Sequence, residues 1–206
     1  MQERGIHFVF SCPSAPHQNG LWERAIRSMK FHLKRVVGLQ ILTVPQLTSL
    51  VIQVEGVLNS RPLTPLSCDS TNYDVLTPGH FLIGRPVTAP SWTDLSSYKD
   101  GTLRHYHLIV ALLQRFWKQW RTEYLTTLQA RSKWTSASPN LQEGDIVIID
   151  EANCQPLQWP IGRILKTNPS SSDGVVRSAT VKTQSGVYDR PAVKLFRLPF
   201  QPDNLE

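Results

Sequence analysis

The 206-residue chain predicts an α+β fold, with helices through its first two thirds and a small antiparallel β unit in its last third. Three observations lead there. From Gly20 to Leu128 the apolar residues recur at intervals of three and four, broken by prolines. From Leu141 the spacing changes to two, in short runs separated by turn residues. The hydrophobic content of 40% suits a buried core, and no run of eighteen apolar residues suggests a membrane span.

The elements follow in order. Ile6–Phe10 is short, apolar and aromatic, and reads as a strand. A helix starts near Gly20, with Asn19 or Ser14 as cap, and Gly38 ends it. Leu21, Ala25, Ile26, Met29, Leu33, Val36 and Val37 form its expected buried stripe. Thr43 caps and Pro45 opens a second helix to about Asn59, burying Leu47, Leu50, Val51, Val54 and Leu58. Pro62 and Pro65 stop it. Thr77-Pro78 starts a short helix to Ile83, and residues 85–103 form a loop rich in Pro, Ser, Thr and Asp.

The stretch from Thr102 to Ser138 has neither Pro nor Gly. Leu108, Ile109, Leu112, Leu113, Phe116, Trp117, Trp120, Tyr124 and Leu128 make the buried face of a long helix, with Arg115, Lys118 and Arg121 opposite. Such a helix is long enough to bridge two domains, and Arg131–Pro139 follows as a linker. Strands are expected at Gly144–Ile149, Trp159–Lys166, Val175–Thr183 and Val187–Leu198, the last bent at Arg190-Pro191. Turns fall at Ser171–Gly174 and Ser185-Gly186. Four or five short antiparallel strands in so few residues suit an SH3-like barrel.

The formal net charge is +6, but it is not evenly spread. Lys and Arg number 6 against 2 Asp and Glu in residues 1–40, and 6 against 1 in residues 104–140. Residues 41–103 and 141–206 carry 3 against 5 and 7 against 8. Two basic blocks therefore hold the excess, and phosphate backbones attract such blocks without reading sequence. For the second block, DNA contact and a solvated helix face are equally good readings.

Within the first block, Glu23, Arg27, Lys30 and Lys34 are spaced by four, three and four, which puts them on one helix face. Arg24 and Arg35 add to the positive charge. The plain reading of Glu23 is a first-turn acid favoured by the helix dipole and paired with Arg27. The functional reading is a metal ligand placed beside a polyanion.

Ser14–Lys30, SAPHQNGLWERAIRSMK, resembles the third block of retroelement integrases, where a Pro- and Gly-containing loop enters the helix bearing the Glu of a D-D-E triad. LNSRPLTPL at Leu58–Leu66 and LTPGHFLIGRP at Leu76–Pro86 are similar to the segments that follow in that family. GDIVII, WPIGRI, DGVVRSATVKT and RPAVKL resemble its C-terminal domain. The likeness, through nearly the full length, is to the integrase region of Pao/BEL-type LTR retrotransposon polyproteins.

That resemblance implies residues 1–86 as the C-terminal remnant of an RNase H-like catalytic core, 87–139 as loop and linker helix, 140–200 as the barrel, and 201–206 as a tail. It implies Glu23 as a catalytic residue and ligand to Mg²⁺ or Mn²⁺, and Arg24, Arg27, Lys30, Lys34 and Arg35 as contacts to DNA. It implies joining of element ends to target duplex, action as a homo-oligomer, and residence in the nucleus. The chain departs from the family in one respect: only twenty-two residues precede Glu23, and none is Asp, the first being Asp69. One carboxylate cannot hold two divalent ions against their hydration. The expectations are therefore a piece of a longer polyprotein, an upstream polypeptide as partner, no tight metal binding and no strand transfer by this chain alone. The alternative is a non-catalytic DNA- or chromatin-binding module derived from a retroelement.

Met1–Pro13 lacks the pattern of a secretory signal, so an intracellular, non-membrane protein is expected. Cys12, Cys68 and Cys154 give neither a disulfide framework nor a zinc pattern with the histidines. Trp159, Tyr188 and Phe196 are too few and too core-like to suggest an aromatic cage.

Overall fold

The computed structural model describes residues 20–67, 72–129, 140–170 and 174–199. The expected strand at Ile6–Phe10, the helix caps Asn19 and Ser14, Cys12, Cys68, Asp69, the linker at 131–139 and the tail at 201–206 lie outside them. The chain divides into two compact units, Met1–Gln40 and Ile41–Glu206.

The described part of the first unit is a single long helix, α1, Gly20–Val37. Gly38 ends it with φ +56°, donating its N–H to the Lys34 carbonyl at 3.1 Å. This is the left-handed terminus that glycine adopts without a Cβ penalty. Val36 and His32 are buried, but Ile26, expected inside, is 45% exposed. At roughly 100° per residue, Ile26 lies about 60° from Glu23 and so falls beside the charged row rather than opposite it.

In the second unit, α2 spans Val44–Asn59. The Gln46 side chain accepts the Thr43 N–H at 2.8 Å, and Pro45 sits in the first turn, where its missing donor costs nothing. Leu50, Val54, Val57 and Leu58 are buried, whereas Leu47 is 44% exposed. The segment after α2 caps its open carbonyls. Ser60 Oγ donates to Val57 O at 2.8 Å and Arg61 Nη1 to Leu58 O at 2.7 Å. Two-residue strands β1 (Thr64–Pro65) and β2 (Val75–Leu76) pair antiparallel, and α3 follows at Pro78–Ile83. His80 Nδ1 accepts the Thr77 N–H at 3.0 Å, and Gly84 closes the helix at φ +71°.

Helix α4, His105–Leu128, packs along α2 and against the sheet. Leu112, Leu113, Phe116 and Trp117 are almost wholly buried, each worth roughly 1.5–3 kcal/mol of transfer free energy. The loop before α4 is tied to it. Gln114 accepts from Leu95 N–H and donates to Thr93 O, while Arg115 donates to Ser96 O, Tyr98 O and Asp100 Oδ1.

Five strands form the sheet: β3 (Ile146–Ile149), β4 (Ile161–Pro169), β5 (Val176–Thr183), β6 (Gly186–Pro191) and β7 (Leu195–Arg197). Their order is β6-β5-β4-β3-β7, all antiparallel. All four β3 residues are buried because both faces of that strand are covered. Val147 and Ile149 join Ile164, Ala179, Val181 and Leu195 on one face. Ile146 and Ile148 join Leu125, Phe196 and Leu198 under α4 on the other. Gly162 is required here: a Cβ would lie 2.4 Å from Val181 Cγ1 and 2.9 Å from Lys182 O.

The expected closed barrel is not formed. The single last strand breaks at Pro191 into β6, a 3-10 turn at Ala192–Lys194, and β7. β7 is only three residues long and spends its ladder on β3, so β6 and β7 remain opposite edges of an open sheet. Pro191, lacking an N–H, cannot donate a ladder hydrogen bond.

Candidate nucleic-acid interface

Glu23, Arg27, Lys30 and Lys34 are all exposed on α1. Glu23, Arg27 and Lys30, with Ile26, line a shallow depression of about 490 Å³. Among the described residues no ion pair joins Glu23 to Arg27, so the plain reading of a locked first-turn pair has no geometric support. The face therefore offers one carboxylate at its head and three cations behind it.

Arg24 and Arg35 do not share this face. They lie roughly 100° around the helix from Glu23. There the Arg35 guanidinium stacks 4.0 Å from the centroid of the half-exposed Phe31 ring. The five cations thus form two rows.

Of the central cations of the second basic block, Arg115 and Arg121 are engaged within the fold, while Lys118 stays exposed. Arg121, expected on the outer side of α4, is buried. It donates to Glu151 O and Asp150 Oδ1 at 2.8 Å each, and to Ile149 O at 3.4 Å. Arg115 holds the loop at 96–100, as described above. Lys118 is exposed but sits 3.2 Å from Asp94 Oδ2 and 2.5 Å from Ser96 Oγ. Helical spacing alone assigned these side chains to the outer face. The loop strapped across that face, and the β3 end beneath Arg121, supply carbonyls and carboxylates that draw them in.

Cations stand on both faces of the sheet. Arg163, Lys182 and Lys166 share one face through the registers Arg163↔Lys182 and Lys166↔Thr180. Arg190, opposite Ala179, and Arg197, opposite Val147, lie on the other. Arg197 also pairs with Asp145 at 3.0 Å.

One grouping was only partly visible in the sequence. Tyr73, Trp159, Tyr188, Glu151 and Arg190 line a cleft of about 480 Å³ where the ends of β3 and β4 meet the β5–β6 hairpin. Tyr73 and Trp159 are 86 positions apart, so no local pattern could join them. Phe196, grouped with Trp159 and Tyr188 from sequence, packs in the interior cluster under α4 instead. Trp159 meets Trp117, Trp120 and Tyr124 edge-on, with ring centroids 4.8 to 6.2 Å apart.

Two divalent ions need oxygen ligands from several carboxylates. Among the described residues no three His, Cys, Asp or Glu side chains gather. Glu23 alone does not fit such a pair, and no chemical step is assigned to it. Among the described residues no helix is long and apolar enough to cross a membrane.

Residues 104–198 match the model of a family of unknown function (DUF5641), a span that covers α4 and the five-stranded sheet. No curated protein and no solved structure matches the chain.

Proposed function

We propose that this chain contributes DNA binding to a retroelement-type integration machinery, and that it performs no strand transfer by itself. The observation that carries the proposal is the α1 face, where an exposed Glu23, not ion-paired with Arg27, heads the cationic row Arg27, Lys30 and Lys34. A row of this kind follows a phosphate backbone, and the acid at its head is where the family resemblance expects a metal ligand. DNA as partner would put the chain to work in the nucleus. In the sheet, the order β7-β3-β4-β5-β6 with a 3-10 turn leading into β7 supports an SH3-like reading, left open at one side. The RNase H-like assignment of the first helices rests on the sequence resemblance.

The test is duplex binding by fluorescence anisotropy as salt is raised. Arg27→Ala combined with Lys30→Ala removes two phosphate contacts and should lower the log–log salt slope by about 1.8. An unchanged slope would return this face to bulk solvent. Absence of that salt dependence, together with selective peptide binding, would favour the rival class, a non-catalytic module retained for chromatin contacts.

A further inference from the structure

We infer that the cleft between the β5–β6 hairpin and the ends of β3 and β4 takes a cationic side chain of a partner polypeptide, in the place that Arg190 now fills. This does not depend on the DNA role of α1, which lies in the other unit.

The walls have the chemistry that recognises a cation. Tyr73, Trp159 and Tyr188 supply three aromatic rings, and Glu151 supplies a carboxylate. Ring faces attract a cation through the quadrupole, and a carboxylate adds charge. The chain itself shows how such a head group sits. The Arg190 guanidinium carbon is 5.0 Å from the Tyr188 ring centroid, and its Nη2 is 3.4 Å from Glu151 Oε1.

That internal occupant is loosely held. The ion pair is long, and its two side chains are 32% and 47% exposed, so solvent screens it. Asp150, the next acid along, is already paired with Arg121 at 2.8 Å and does not add to the hold.

The volume and position favour a polypeptide over a free cation. About 480 Å³ exceeds what one guanidinium fills and lies within the range of ligand sites. The cleft borders β6, an edge strand whose outer backbone pairs with no other strand among the described residues. An extended peptide can lie along such an edge. Glu151 opposes a phosphate backbone at this place.

The test uses the full chain and short Ala/Ser peptides carrying one central arginine, lysine or norleucine, followed by two-dimensional NMR. The arginine or lysine peptide should shift the Trp159 indole and Tyr188 signals saturably, and the norleucine peptide should not. Arg190→Ala removes the internal competitor and should tighten binding about fivefold. Arg190→Lys should leave affinity close to that of the unaltered chain, and Glu151→Gln should weaken binding severalfold. Equal binding of the norleucine peptide would overturn the inference. So would unchanged or weaker affinity in Arg190→Ala, or duplex DNA moving the same signals.

Discussion

Replacing Arg121 with alanine separates a structural cation from a DNA-binding one. In the fold its guanidinium is buried and bridges α4 to the end of β3 through Glu151 O and Asp150 Oδ1, both at 2.8 Å. The third contact, to Ile149 O at 3.4 Å, is too long to add much. Two hydrogen bonds from a charged donor are worth roughly 1.5–3 kcal/mol each. Asp150 is 47% exposed, so water takes up part of what it loses, which brings the net cost to about 3 kcal/mol. For a folding unit of this size that is a fall in Tm of about 6–12 °C. Urea denaturation and a thermal melt measure it. The salt slope of duplex binding, taken well below the new Tm, should not move. A variant that melts within a degree or two of the parent but binds duplex with a flatter slope would refute the structural assignment.

Other outcomes follow from the same geometry. Gly162→Ala puts a methyl group 2.4 Å from Val181 Cγ1 and 2.9 Å from a backbone carbonyl, and should cost about 1–3 kcal/mol or more by overpacking, read from the urea midpoint. Its stability should fall; an unchanged midpoint would mean that β4 and β5 are not so closely apposed. Burial pushes the Cys154 thiol up from its ordinary 9.0 to about 11, and the Tyr124 hydroxyl from 10.0 to about 12. Both groups are raised in the folded state, so their contribution is fully present below pH 9 and is lost as pH rises through about 11 and 12. The urea midpoint should decline over that window, and less steeply in Cys154→Ala with Tyr124→Phe. Equal declines in parent and variant would remove these two groups as the cause.

The helices were legible because their ends are written locally. Thr43-Pro45, Thr77-Pro78 and Gly38 are stop and start signals that act within a turn, and the structure places α1, α2 and α3 at those bounds. The β5–β6 hairpin was legible for the same reason, since Ser185-Gly186 turns the chain without help from elsewhere, with Gly186 at φ +144°. Burial was less so. Leu47 and Ile26 have the right spacing but face outward, since spacing assigns a relative face and not what covers it.

By itself the sequence determined the helix ends, the shift from helical to strand periodicity, and the concentration of positive charge on α1. These depend on interactions over a few residues, whose geometry the chain carries wherever it folds. Only the tertiary structure decided that Arg121 is a buried brace, that the sheet stays open at Pro191, and that Tyr73, Trp159 and Tyr188 meet beside Glu151. Each of these depends on which distant backbone approaches a side chain, and a guanidinium or a ring takes its role from that neighbour.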